Sequence, residues 1–374
     1  HMVSVMLTPT YIIPPRPPLA ELETIAVLKA LNTASRALAD LKGQAKTIPN
    51  QGILIDTLAL QEAKASSEVE NIVTTQDELL QADLFPDDPQ SPAAKEVALY
   101  RDALRLGYSR LLQTDGLIPN STLIDMFRLL KGRDDGFRVT PGTALKNEAT
   151  GEIVFVPPQD ANQIVAQMTA LERFVNDDAA SPLDPLIKMA LIHHQFESIH
   201  PFPDGNGRIG RILNVLYLTR TGLLDIPVLY LSRHITRNKP DYYRLLQAVR
   251  DSNGAAQDWQ AWVLFMLQAV AETAQTTLQL VIGIREQMAD VKQRMRDGLP
   301  KIYSQELLNN LFRHPYTRIE YVQADLGLRA RQTAAKYLDQ LAETGFVEKH
   351  SSGRNNYYVN TALVRLFLDV SGER

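Results

Sequence analysis

Residues 200–211 read His200-Pro201-Phe202-Pro203-Asp204-Gly205-Asn206-Gly207-Arg208-Ile209-Gly210-Arg211. This stretch contains one imidazole, one carboxylate, a glycine-rich turn and two guanidinium groups. Such a turn can adopt positive φ angles and direct successive N–H groups at an anion at the start of the next helix. Arginines three residues apart share one helix face. These residue types therefore indicate a site for nucleotide phosphates.

Two side chains of this stretch suit chemistry at the phosphates. His200 can accept a proton near neutral pH. Asp204 supplies the oxygen ligands that Mg²⁺ prefers. The stretch thus predicts a base and a metal ligand beside a phosphate cradle.

Two alternative interpretations of the glycines and arginines stay open at this stage. Residues 205–210 also fit the G-x-G-x-x-G dinucleotide fingerprint, with Asp225 downstream, but that site needs a strand before the turn. Apolar residues from Leu183 to His194 recur at helical spacing instead and predict a helix there. Alternatively, the glycines form a plain turn and the arginines are surface charges.

A metal site is a further alternative. His193, Glu197 and His200 are spaced so that all three could lie on one helix face as ligands. Pro201 argues that the helix ends before His200, which weakens this interpretation.

Residues 200–211 resemble the signature of the Fic family, His-x-Phe-x-(Asp/Glu)-Gly-Asn-Gly-Arg-x-x-Arg, at every specified position. The resemblance implies transfer of AMP from ATP to a protein hydroxyl, called AMPylation. It implies that His200 is the catalytic base and that Asp204 binds Mg²⁺. The ATP-binding residues that it implies are Gly205, Asn206, Gly207, Arg208, Ile209, Gly210 and Arg211.

A second motif lies upstream of the signature. Ser66, Glu70 and Asn71 resemble the inhibitory motif of the Fic family, (Ser/Thr)-x-x-x-Glu-(Gly/Asn), which marks the subclass with its own N-terminal inhibitory helix. Ser66 and Glu70 are i, i+4 neighbours on a helix. Glu70 could bind Arg211 bidentately and occupy the guanidinium that would otherwise hold the γ-phosphate of ATP.

The spacing of apolar residues predicts a mostly α fold. The resemblance implies that this fold is a Fic-type helical bundle with a β-hairpin flap, followed by a small C-terminal winged-helix domain. We expect an N-terminal helical region over 1–115, a catalytic core over 116–297 and the C-terminal domain over 298–374. Predicted helices run over 19–41 and 53–73, the second being the inhibitory helix, and Ser91 is a predicted N-cap. Residues 9–18 are proline-rich and favour an extended segment.

Residues 136–157 contain two short β-prone runs, one at Phe137 and Val139 and one at Ile153 and Phe155, around a polar turn. Their place before the signature matches the flap that aligns the target in Fic proteins. An extended peptide could add to the exposed edge of such a hairpin.

Aromatic residues follow the helix that is predicted to begin within residues 200–211. Tyr242 and Tyr243 could wall an adenine pocket, although aromatic residues at helical spacing could equally belong to the core. A long helical pattern then begins at Trp259 and continues to Arg296.

The C-terminal pattern of two short helices and a hairpin with a polar tip resembles a winged helix. Its basic residues could contact DNA phosphates: Arg329, Arg331, Lys336, Lys349 and Arg354. Acidic residues, among them Asp339 and Glu343, interrupt that face. Contact with DNA and docking of a protein therefore both stay open.

Composition limits the remaining possibilities. The 374-residue chain has a formal net charge of −4 and no cysteine, which excludes disulfides and thiolate chemistry. No apolar run approaches the roughly 20 residues of a membrane helix, so we predict no membrane partner and a cytoplasmic location. The predicted function is that of a protein adenylyltransferase with ATP and Mg²⁺, acting on a Ser, Thr or Tyr hydroxyl of a target or of itself, with a homodimer possible. The alternatives are an enzyme that removes AMP and a nucleotide-sensing DNA-binding regulator.

Overall fold

The computed structural model describes residues 7–14 and 22–372, which are mainly helical with two small antiparallel sheets, as predicted. Its N-terminal helices are α1 (Ile25–Ala45), α2 (Gln51–Val69), α3 (Gln76–Leu84), α4 (Pro92–Gln113) and α5 (Asn120–Lys131). The predicted cap of α4 is confirmed, since the Ser91 hydroxyl accepts a hydrogen bond from the backbone N–H of Ala94.

The central region holds the signature. Its elements are β1 (Leu145–Lys146), β2 (Ile153–Phe155), α6 (Ala161–Asn176), α7 (Pro185–Ile199), α8 (Asn206–Arg220), α9 (Ser232–Arg237), α10 (Lys239–Asp251) and α11 (Ala256–Gly298). Helix α7 is the centre of the molecule, because every residue from Leu186 to Ile199 is buried. It packs on α6, α8 and α11. The signature loop joins α7 to α8 and is therefore held by the most buried part of the fold.

The C-terminal elements are α12 (Gln305–Arg313), β3 (Tyr316–Thr317), α13 (Ile319–Asp325), α14 (Arg331–Glu343), β4 (Glu348–Ser352), β5 (Asn355–Val359) and α15 (Thr361–Ser371). The three strands form one antiparallel sheet in the order β3-β5-β4. The predicted pair of helices and the hairpin are thus present. This region packs against α2, where the Arg313 guanidinium lies 2.5 Å from the Asp56 carboxylate.

Two details of the prediction are wrong. Helix α2 ends at Val69 rather than near residue 73, because Asn71 takes a left-handed φ of 59°. The first flap strand is β1 and not the run at Phe137 and Val139. The run at residues 137–139 does not form a flap strand, because Arg138 in its middle donates its backbone N–H to the Pro201 carbonyl of the signature loop.

The N-terminal segment is only partly described. Residues 15–21 lie outside the described residues, and with them the predicted start of the first helix at Leu19 and the end of the proline-rich segment. Thr10 donates its backbone N–H to the Val156 carbonyl beside the flap. Within the described ranges, no helix combines the length and apolar composition that a membrane span requires.

Candidate active site

The signature loop is fixed by two of its own residues. Phe202 is buried and stacks on Phe127 of α5 with ring centroids 4.5 Å apart. The Asn206 side chain accepts from the Phe202 backbone N–H and donates to its carbonyl, each at 2.8 Å. These contacts hold the loop in one conformation, so its polar groups are already in position for a ligand.

Arg138 holds the same loop from the flap side. Its guanidinium donates to the carbonyl oxygens of His200, Pro158 and Ile199 at 2.7, 2.8 and 3.2 Å. Burial lowers the pKa of Arg138 to about 10, so the group is still charged at neutral pH. Sequence reasoning missed Arg138, because its partners are backbone carbonyls that lie 20 to 62 residues away in the chain.

His200 ends α7 in a left-handed conformation with φ of 51°. Its Nδ1 is buried and has no hydrogen-bond partner in the described ranges of the chain, and the residue lines a cavity of about 600 Å³. Burial of the ring, together with the positive charges of Arg138 and Arg250, lowers the pKa of His200 to about 3. The imidazole is therefore neutral at pH 7 and able to accept a proton.

The glycine turn forms the predicted start of α8. Gly205 has φ of 75° and is the N-cap, so the first N–H groups of the helix are open to an anion. Gly207 lines the cavity, and a Cβ there would overlap the Glu70 carboxylate. A carboxylate thus lies against the cradle where a phosphate would bind.

Asp204 stands at the edge of this turn. Its Oδ1 accepts from the Gly205 N–H at 2.7 Å, and its Oδ2 lies 2.6 Å from Nζ of Lys131. Burial opposes ionisation, but the hydrogen bond and charge of Lys131 outweigh it and hold the pKa of Asp204 below its ordinary value. The carboxylate is therefore ionised, as a metal ligand must be.

Each signature arginine is paired with a carboxylate from an N-terminal helix. Arg211 lies 2.7 Å from Glu70 and also donates to Oγ and the carbonyl oxygen of Ser66, at 2.7 and 2.9 Å. Arg208 lies 2.6 Å from the Glu96 carboxylate on α4. The predicted contact of Glu70 with Arg211 is present, but as one hydrogen bond from Nη2 to Oε1 and not as the bidentate pair expected, because Nε donates to Ser66 instead. The partner of Arg208 was not foreseen.

Asn71, the third residue of the inhibitory motif, bridges the mouth of the cavity. Its amide nitrogen donates to Glu148 of the flap turn at 3.0 Å, and its amide oxygen accepts from Nζ of Lys239 on α10 at 2.9 Å. The end of α2, the flap and α10 are thus connected through one side chain.

The remaining predicted ATP-binding residues differ in position. Tyr242 and Tyr243 both line the cavity, although the Tyr242 hydroxyl is engaged with Nε2 of His193 at 2.7 Å. Ile209 is fully buried, and Gly210 packs against Phe196 of α7. The last two therefore support the helix rather than line the cavity.

The structure argues against two of the alternative interpretations. A helix, α7, precedes the glycine turn where a dinucleotide fingerprint needs a strand. His193 is committed to Tyr242 rather than directed at His200. In the described part of the chain, no three His, Asp or Glu side chains are grouped as metal ligands.

Glu197 is a cavity residue that sequence reasoning placed only in the discarded metal set. It lies one helical turn before His200, is buried, and its Oε1 has no hydrogen-bond partner among the described residues. A Cβ at Gly210 would come within 2.9 Å of this oxygen. Burial raises the pKa of Glu197 to about 7, and Arg211 opposes the rise. The sequence signal that could have found it is a glutamate three residues before the predicted base, on the same helix face.

The raised pKa of Glu197 makes a stability prediction for Glu197→Gln. The folded protein holds this proton up to about pH 7, while the unfolded chain releases it near pH 4.5. The folding stability that the neutral Glu197 side chain contributes is therefore fully present below pH 4.5, and it is lost as the pH rises through 7. We expect Glu197→Gln to gain about 1–3 kcal/mol over the parent between pH 5 and pH 8. Urea unfolding at both pH values measures this, and a gain independent of pH contradicts it.

Three family models match the chain. "Fic/DOC family N-terminal" matches residues 28–109, "Fic/DOC family" matches residues 121–218, and "Protein adenylyltransferase SoFic-like, C-terminal domain" matches residues 287–363. Together they cover more than half of the chain. The chain belongs to the Fic/DOC family.

Curated Fic relatives are similar over part of the chain. The protein adenylyltransferase Fic of Aedes aegypti is 30% identical over 156 residues, which are 40% of this chain and 28% of the relative. That of Drosophila yakuba is 33% identical over 127 residues, or 34% of this chain and 22% of the relative. The matched region thus spans less than a third of either relative.

Solved Fic structures share the fold. A Fic family protein from Desulfovibrio desulfuricans G20 has a TM-score of 0.55 and 21% identity, covering 92% of this chain and 98% of its own. Residues 134–508 of Fic-1 from C. elegans have a TM-score of 0.51 and 21% identity, covering 70% and 74%. At this identity the similarity concerns the fold.

Proposed function

We propose that this Fic protein transfers AMP from ATP to a Ser, Thr or Tyr hydroxyl of a protein. The observation that carries the proposal is the cavity, where the neutral imidazole of His200 faces the same space as Gly207 and Arg211. A base beside a phosphate cradle is the arrangement that nucleotidyl transfer requires.

The reaction is a displacement at the α-phosphorus. The target hydroxyl oxygen forms a bond to that phosphorus, the bond to the bridging oxygen breaks, and pyrophosphate leaves. His200 accepts the hydroxyl proton through Nε2, since Nδ1 is buried. The N–H groups at the start of α8 bind phosphate oxygens, and Arg208 and Arg211 neutralise the charge that builds on pyrophosphate.

Asp204 fits the predicted Mg²⁺ site. It is an ionised carboxylate beside the cradle, and one or two carboxylates with substrate phosphates are the usual ligands of this ion. Bound Mg²⁺ would supply positive charge to the phosphate oxygens. Lys131 forms an ion pair with Asp204 in this structure. When Asp204 binds Mg²⁺, the Lys131 ammonium group would pair with a phosphate instead.

Asp204→Asn tests this assignment. The amide keeps the loop contact with Gly205 but removes the negative charge that attracts the cation. We expect the Mg²⁺ concentration for half-maximal transfer to rise about tenfold or more. Titration of Mg²⁺ at fixed ATP measures it, with Asp160→Asn, at the cap of α6, as a control. An unchanged metal requirement would remove Asp204 from the site.

We propose that α2 holds this site in an inhibited state. Glu70 and Ser66 engage Arg211, and Glu70 takes up space above Gly207. An ATP γ-phosphate would compete with that carboxylate for the same guanidinium.

The flap supports a protein target. Ile153 and Val154 of β2 are exposed, and no third strand pairs with this sheet among the described residues, although the Val154 carbonyl accepts from the Gln247 side chain. A target segment could pair with such an edge and present its hydroxyl to His200. The target could be a second copy of this chain, and a homodimer and a cytoplasmic location stay predictions.

Removal of AMP is the second candidate reaction, favoured by the Glu70 carboxylate inside the cavity, where it could orient water. DNA binding by the C-terminal region is the other alternative. There Arg331 is paired with Glu320 and Lys349 with Asp339, so two of the five predicted DNA-contacting charges are already neutralised.

Incubation with α-labelled ATP and Mg²⁺ separates these functions. Label on protein, lost in a His200 variant, supports transfer. Release of AMP from previously labelled protein supports removal. Salt-dependent binding of duplex DNA without either reaction supports the regulator.

A further inference from the structure

Two glutamate–arginine pairs connect the N-terminal helices to the signature. Glu70 binds Arg211 at 2.7 Å and Glu96 binds Arg208 at 2.6 Å. Both arginines are almost fully buried, with 1% and 3% of their side chains exposed. Chemistry and distance alone would assign the two pairs the same role.

Their positions differ. Glu70 and Arg211 both line the active-site cavity, and Glu70 overlaps the position of a Cβ on Gly207. The described residues that line this cavity include neither Arg208 nor Glu96. Glu96 lies on α4, which packs on α8. Its carboxylate therefore does not occupy nucleotide space.

The unpaired edge of Arg208 faces the signature loop. Nη1 binds Glu96, while Nη2 lies 3.8 Å from the position that a Cβ on Gly205 would take. Nη2 thus lies beside Gly205, the residue at which the glycine turn begins, together with the side chains of Leu130 and Lys131.

We infer that Glu96 is a positioning residue that holds the Arg208 guanidinium toward the phosphates of ATP. Glu96 then supports the transfer reaction, whereas Glu70 restrains it. The inference rests on the proposed function. An arginine held by one edge keeps its remaining N–H groups for a ligand and loses less conformational freedom when the ligand binds. Removing Glu96 should therefore weaken binding of the outer phosphates.

Glu96→Ala in a Glu70→Gly background tests the inference, because the cavity is then free of its own carboxylate. We expect the dissociation constant of ADP to rise about 5- to 30-fold, while that of AMP changes less than about twofold. Calorimetry with ADP and AMP measures both without any transfer reaction. Alanine suits an exposed helix position, so the fold should be kept.

Asp178→Ala is the matched control. It also removes an exposed carboxylate from a buried arginine, Arg220, which has 8% of its side chain exposed and lies at the other end of α8. A general loss of stability would affect both variants alike. An equal ratio of the ADP and AMP dissociation constants in the Glu96→Ala and Asp178→Ala variants would overturn the inference.

A double-mutant cycle with Arg208→Ala decides whether Glu96 acts through Arg208. Once Arg208 is absent, Glu96→Ala should not weaken ADP binding further. An additive effect, or tighter ADP binding in Glu96→Ala, would contradict positioning. If the Glu70→Gly protein binds ADP but transfers no label, the proposed function fails while this comparison still holds.

Discussion

We expect His200→Ala to lower transfer of labelled AMP by about 10²- to 10⁴-fold, the usual contribution of a general base. Binding of ADP should change little, because the imidazole contacts the incoming hydroxyl and not the phosphates. Transfer is measured with α-labelled ATP and binding by calorimetry. Efficient transfer by the variant would exclude His200 as the base.

The backbone of His200 requires a second variant. With φ of 51°, this residue is in the left-handed region, where alanine is disfavoured by about 1–2 kcal/mol and asparagine is better tolerated. His200→Asn therefore removes the base and keeps the loop. The two variants should lose the same activity but differ in thermal stability.

The low pKa of His200, about 3, also sets a pH dependence. The neutral form dominates above that value, so lowering the pH from 8 to 5 should not remove the base. A rate that falls below pH 6.5 would contradict the low pKa of His200 if the Glu197→Gln variant shows the same fall, because that variant removes the other cavity group that titrates near pH 7.

The parts of this site that the sequence predicted are local. His200, the glycine turn and the paired arginines lie within one loop and one helix turn, so residue spacing alone fixes their neighbourhood. The contact between Glu70 and Arg211 was predicted across 141 residues only because a second motif resembled the same family.

The missed residues act over distance. Glu96 reaches Arg208 across 112 residues, and Arg138 binds carbonyl groups, which carry no side-chain signal. Their roles depend on how α4 and the flap pack on α7 and α8. Hydrophobic spacing predicts that these helices exist but not which polar side chains meet between them.

Packing also decided the role of aromatic residues. Tyr242 was predicted at an adenine pocket or in the core, and it is at the boundary of both. Its hydroxyl binds His193, a buried residue of α7, while its ring lines the cavity. A helix face that is partly core and partly cavity cannot be divided by residue type alone.

Glu70→Gly should raise transfer of AMP about 10- to 150-fold. A charge-assisted pair contributes roughly 1.5–3 kcal/mol, and loss of this pair frees the Arg211 guanidinium for the γ-phosphate. Glu70 is 36% exposed, so solvent screening places the effect toward the lower end. Self-labelling and ATP affinity measure it.

Two variants show whether the gain passes through Arg211. Glu68→Gly adds the same flexibility at the same end of α2 and removes the ion pair with Lys64, but it keeps the Glu70 carboxylate, so it should raise transfer far less than Glu70→Gly. Arg211→Ala in the Glu70→Gly background should erase the gain, because the freed guanidinium is its source. If Glu70→Gly instead loses activity, the carboxylate takes part in the reaction, as water-assisted removal of AMP would require, and α2 carries a catalytic residue rather than an inhibitor.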